Sequence, residues 1–156
     1  MALETRPKSV GVLSCSGEEE PEGTIARNAV RLVMEKYQPG ITVTLCLPLY
    51  VAGDEGEREF ARKVPVIAVD GCDKACARRA TEKYSGAVED AIDIRALLKE
   101  WGVDEKLSRS HPGELEWELA DRLAREISRR IDLLIEEGKV VPSHAVPGGS
   151  GDTDAV

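Results

Sequence analysis

Histidine is almost missing from this chain: there are two in 156 residues, His111 beside Pro112 and His144 near the C-terminal end. A histidine-rich metal centre or a histidine general base therefore has little to draw on, and both residues read as surface positions. Aromatic residues are also scarce, at 4% of the chain, which leaves no stacking platform for unpaired bases. Lys and Arg number 21 against 29 Asp and Glu. That balance gives no basic face for a phosphate backbone or an anionic lipid surface, so neither nucleic acid nor membrane is expected as a partner. No run approaches the ~18 apolar residues of a membrane span. The first ten residues, MALETRPKSV, lack the apolar core of a signal peptide. The expected setting is the cytoplasm, where thiols stay reduced.

What is present is an alternation of apolar β-branched runs with helical patterns. SVGVLSC, residues 9–15, reads as a strand. Thr24 is placed to cap a helix running to Tyr37, which Pro39-Gly40 then stops. ITVTLC, 41–46, is a second strand, followed by LPLYVAG. Asp54 and Glu57 have the spacing of a capping box for a short helix to Lys63. A third strand covers 64–69, a helix runs from Asp73 to Tyr84, and 87–92 forms a weaker fourth strand leading into a helix through RALLKEWG. Leu115, Leu119, Leu123, Ile127, Ile131 and Leu134 recur at helical spacing in a long last helix ended by Gly138. Strands alternating with helices predict an α/β three-layer sandwich, Rossmann-like or flavodoxin-like, around a mainly parallel sheet of about four strands. The long C-terminal helix is expected to cover one sheet face. Residues 1–139 read as one domain and 140–156, without apolar periodicity, as a loose tail.

Four cysteines fall into this pattern in a particular way. Cys15 and Cys46 end strands one and two, Cys72 follows strand three, and Cys76 lies one turn further on. All four map to the carboxyl edge of the sheet, where ligand sites of such folds lie. Cys72 and Cys76 share a helix face if Cys72 caps the turn. Cysteine is also a small hydrophobe, and Cys46, between Leu45 and Leu47, is equally explained by core packing. The set as a whole reads as a metal site. Four thiolates suit tetrahedral zinc, with an iron–sulfur cluster as the rival. The helix N-terminus after Gly71, together with Lys74, Arg78 and Arg79, is expected to offset the charge of the thiolates. Asp70 and Asp73 are placed to orient the loop or cap the helix, and Gly71 to permit the turn.

The segment VDGCDKACA, with the strand-ending cysteines of LSCSG and TLCLP before it, resembles the DGC domain family of zinc-binding proteins, named for its Asp-Gly-Cys motif. The resemblance covers roughly residues 9–102. It implies zinc held by four cysteines, corresponding here to Cys15, Cys46, Cys72 and Cys76, and leaves the cellular role unsettled.

Two other classes remain. A thiol at a helix N-terminus is an activated nucleophile, and a second thiol four residues on could resolve a disulfide, so a thiol-dependent redox or sulfur-transfer enzyme using Cys72 and Cys76 is the alternative to metal handling or sensing. The loop CSGEEEPEGTIAR follows a strand as a phosphate cradle does. Its three consecutive glutamates repel a phosphate, and Arg27 lies too far along for a thiol phosphatase or arsenate reductase. An interaction module, with a purely structural metal and the long helix pairing with a partner, is the third class.

Overall fold

The computed structural model describes residues 6–143. Its centre is a sheet of β1 (Val10–Ser14), β2 (Thr42–Thr44), β3 (Val66–Asp70) and β4 (Asp90–Asp93), all parallel in the order β2-β1-β3-β4. That order is the flavodoxin-like arrangement rather than the Rossmann one. Parallel strands buried on both faces require continuous apolar runs, and VGVLS and VIAVD supply them. Val10, Val12, Ile67, Val69 and Ile92 face one core, Leu13, Val66 and Ala68 the other.

Among the described residues, six helices complete the layers. Helices α1 (Pro21–Leu32), α5 (Ile94–Glu100) and α6 (Glu114–Glu136) build the first core with the sheet, while α2 (Leu47–Ala52), α3 (Glu55–Lys63) and α4 (Cys76–Tyr84) build the second. Each buried Val, Leu or Ile contributes roughly 1.5–3 kcal/mol of transfer free energy. The long helix packs most closely on α1 and on the π-helical turn Val33–Tyr37 that prolongs it, and its buried residues share the first core with those of β1, β3 and β4, covering one sheet face as expected. That turn is closed by the Gln38 N–H donating to Val33 O at 2.7 Å, and it places the Tyr37 hydroxyl on Asp121 of α6. The sheet edge is tied to α6 by Arg130, whose guanidinium donates to Asp90 at 2.9 Å and to Glu126 at 2.8 Å.

Several boundaries differ from the sequence expectation. Helix α1 begins at Pro21, with Glu20 before it; Thr24 is already inside the helix and donates to Arg109 O at 3.3 Å. Proline at the first helical position needs no N–H partner, which makes it a sufficient start signal. Strand β2 stops at Thr44, and LPLYVA turns into a helix, again with a proline in its first turn. Helix α4 starts at Cys76, three residues later than expected, and β4 runs over 90–93. The domain also reaches past residue 139: Val140 is 1% exposed in the first core and the Val141 N–H donates to Pro7 O at 2.9 Å. The rest of the expected tail, 144–156 with His144, and residues 1–5 lie outside the described residues. His111 is exposed.

Candidate functional site

In this topology the chain steps from β1 outward to β2 and then returns to β3 on the other side, so the strand order reverses between β1 and β3. Loops leaving two neighbouring strands in opposite directions open a crevice at their carboxyl ends. A cleft of about 270 Å³ lies there, lined by the loop Cys15–Glu20, by Gly23 at the start of α1, and by Asp70, Gly71, Cys72, Lys74, Ala75 and Cys76.

Cys15 is held by the sheet itself. Its N–H donates to Val69 O at 3.0 Å, continuing the β1–β3 ladder by one residue, and its sulfur accepts the Gly71 N–H at 3.3 Å. Burial pushes the Cys15 thiol above its ordinary range; the Gly71 bond opposes this, and the charges of Asp70, Cys76 and Cys72 add to it. Cys15, Cys72 and Cys76 are thus near neighbours around one cleft. Cys15 and Cys72 are half-buried and Cys76 is exposed.

Cys46 stands apart. It leads into α2 from the outer strand β2, is exposed, and lines a neighbouring groove of about 440 Å³ with Arg27, Arg31, Met34 and Pro48. Cys15 borders both spaces. Cys46 therefore does not pack into the core, the alternative its leucine neighbours left open, and it does not border the cleft of the other three.

The path from β3 to α4 departs from the expected cap. The Ala75 N–H donates to Cys72 O at 3.1 Å, closing a turn over 72–75, and Ala75 adopts φ +49°, a left-handed backbone that costs a non-glycine residue roughly 1–2 kcal/mol. Cys72 is consequently looped out ahead of the helix and does not cap it. The cap is Asp70, buried at 3% exposure, whose oxygens accept the Ala77 N–H at 2.7 Å and the Arg78 N–H at 3.1 Å. Burial pushes its carboxyl above the usual range, opposed by those two bonds. Two of the N–H groups expected to face the thiolates, those of Ala77 and Arg78, are spent on this carboxylate.

Three glycines explain how the loops pass one another. A Cβ at Gly71 would lie 2.7 Å from the Gly23 nitrogen, and one at Gly23 would lie 2.1 Å from the Gly17 Cα. Gly71 is outside the left-handed region, so close approach to α1, not the turn, is what requires it. Sequence reasoning passed over Gly17 and Gly23; their signal was the spacing of two glycines around an α/β switch-point loop.

The charged groups at the rim are mutually satisfied. Glu18 pairs with Arg27 at 3.7 Å, Glu19 with Lys74 at 3.2 Å and Glu20 with Arg95 at 2.9 Å, and Arg78 turns away to Glu82 at 2.9 Å. Lys74 and Arg95 also stand within Coulombic reach of the Cys72 sulfur. With the carboxylates engaged, the donors left at the cleft are thiols, a soft set that suits zinc and disfavours magnesium or calcium. Among the described residues, no three His, Cys, Asp or Glu side chains stand together as a ready-made metal group.

An α/β domain with cysteines grouped around its switch-point crevice is the class defined here. The chain belongs to the DGC domain family, whose model matches residues 11–127. No curated protein and no solved structure matches it significantly. Among the described residues, no helix is long and apolar enough to cross a membrane.

Proposed function

We propose that this chain is a cytoplasmic zinc-binding protein whose ion is held by the thiolates of Cys15, Cys72 and Cys76 and whose role is metal handling or sensing. The observation that carries the reading is the convergence of those three cysteines, from two different loops, on one cleft at the reversal of strand order. Family membership supports it. Zinc supplies charge to hold three anionic sulfurs side by side, and Lys74 and Arg95 relieve the negative charge that remains. Closing the sulfurs around an ion falls to the 72–75 turn, the part of the lining whose backbone is strained. Cys46, in the adjacent groove, is dispensable in this reading, which leaves the fourth zinc position open to exchange. An exchangeable position suits delivery or sensing better than a purely structural role.

The test is elemental analysis of anaerobically purified protein, with a count of reactive thiols, across the four Cys→Ser variants. The expected result is about one zinc per wild-type chain and per Cys46→Ser chain, and loss of zinc from Cys15→Ser, Cys72→Ser and Cys76→Ser. Equal loss at Cys46 restores the four-thiolate site implied by the family resemblance. Four reactive thiols and no metal in the wild type refute zinc binding. A brown chromophore with iron and sulfide identifies a cluster instead.

A further inference from the structure

We propose that Asp70 is the positioning residue of the thiol site: by gripping the first turn of α4 from the end of β3, it sets where Cys76 stands relative to Cys15 and Cys72. The inference rests on the zinc reading above and adds a residue to it. Asp70 is the last residue of β3 and is 3% exposed. Its two oxygens accept the N–H groups of Ala77 and Arg78, seven and eight residues downstream. The residue that should cap α4 locally, Ala75, has no side-chain acceptor and sits in the left-handed region.

A local cap would satisfy the helix start in solvent without burying a charge. It would leave α4 free to follow the 72–75 turn wherever that turn goes. A carboxylate reaching across from the strand fixes helix to sheet and lets Cys72 loop out between two anchored points. Burying that carboxylate carries a desolvation cost which a local Ser, Thr or Asn cap would avoid, so its placement is accounted for by the fixed relation of Cys76 to the strand ends. Both oxygens are turned to the helix N–H groups and the side chain is 3% exposed, so Asp70 is placed to act through Cys76.

Cobalt and zinc affinities measured by competition with a chromophoric chelator, on the full chain under reducing conditions, test this. The variants are Asp70→Asn, Cys76→Ser and the double substitution. Asp70→Asn should weaken metal binding by about 10–100-fold and reduce the thiolate-to-cobalt charge-transfer absorbance per bound cobalt. In the Cys76→Ser background the same change should have little further effect, because the group it positions is gone. Ile131→Val, on the buried face of α6, is the control: it should lower the melting temperature and leave affinity unchanged. If Asp70→Asn does not fold, Asp70→Glu, which keeps both oxygens but displaces them by one methylene, should lose affinity while keeping its fold. Wild-type affinity in the Asp70 variant, or a double variant whose loss equals the product of the single losses, overturns the positioning role. A wild-type chain that binds neither metal overturns the zinc reading and this inference together, and is recognised before any variant is compared.

Discussion

Gly23→Ala separates two lines of reasoning because they predict opposite signs. Gly23 lies in the first turn of α1, with an ordinary helical backbone. On helix propensity alone, alanine there should stabilise the protein by roughly 0.5–1 kcal/mol. The close approach to Gly17 says otherwise. A Cβ at Gly23 would stand 2.1 Å from the Gly17 Cα, where ordinary contact begins near 3.4 Å, so one backbone must retreat by roughly 1.3 Å. Both sides of the contact are backbone: Gly17 itself is held at φ +68°, and Gly71 presses on Gly23 from a third side. No flexible side-chain end is available to give way. Overpacking of this kind costs about 1–3 kcal/mol, and with nothing to yield, the upper half of that range applies. Subtracting the propensity gain leaves a net destabilisation of about 1–2.5 kcal/mol, or roughly 2–10 °C in melting temperature for a domain of this size. Calorimetry and urea titration of the metal-free protein read this directly, with an unchanged m-value showing that the effect is on stability. On the proposed zinc site, metal uptake should fall as well, since the displaced loop carries Cys15. A Gly23→Ala protein as stable as the wild type, or more so, refutes the account of the three glycines.

Val140→Ala should destabilise by about 1.6 kcal/mol, at ~0.8 for each of two lost methyl-sized groups, because this side chain is buried in the first core beyond the boundary read from sequence; a thermal shift of zero would return residue 140 to the tail. The Tyr37 hydroxyl, with Arg125 and Lys36, holds the Asp121 carboxyl down from 3.8 to about 2. A depressed carboxylate contributes stability that is present above its unfolded value and lost as pH falls from about 4 to about 2. Acid unfolding of Asp121→Asn should accordingly show a shallower loss across that window than the wild type, and identical slopes would exclude this linkage. Glu126, also held down to about 2, chiefly by Arg129, leaves part of the slope in place.

The layers are legible because the burial pattern of parallel strands is written as continuous apolar runs, and VGVLS and VIAVD admit no other reading. Strand β2 is harder. Only three residues of ITVTLC enter the sheet, and the conformation of the next segment is decided by Pro48 in the first turn of α2. Read from sequence, that proline falls in a segment given no element of its own, and Cys46 ends a strand either as a ligand or as core filling. A threonine cap, the stronger local rule, places the start of α1 just after Thr24, yet Pro21 with an acidic residue beside it begins the helix four residues sooner. At α1 a proline marking the first turn outranks a side-chain cap. The packing of α6 on α1 is not legible at all, since an apolar stripe reports that a helix buries one face and not what it buries it against.

The triplet Asp70-Gly71-Cys72 shows where single-sequence reasoning runs short at a site. Each residue takes, from its neighbours in the chain, a local role: the aspartate in the loop or a local cap, the glycine in the turn, the cysteine as the cap of the helix beyond it. Two of those roles are instead set by groups distant along the chain or past the turn. Asp70 bonds across the turn to Ala77 and Arg78, and Gly71 makes room for Gly23 while its N–H reaches the Cys15 sulfur 56 positions earlier in the sequence. The cap role expected of Cys72 belongs to that same aspartate, which leaves the cysteine in the looped-out turn free for the cleft. A local rule can identify a residue that costs free energy to bury or a position that tolerates no Cβ, but the partner that justifies it comes from whichever loop the strand order brings alongside. Here strand order sets β1 against β3, so the two loops that share the cleft are the ones carrying Cys15 and Cys72, while β2, on the far side of β1, carries Cys46 into the neighbouring groove. Topology, more than the spacing of the cysteines, is what divides the four into three and one.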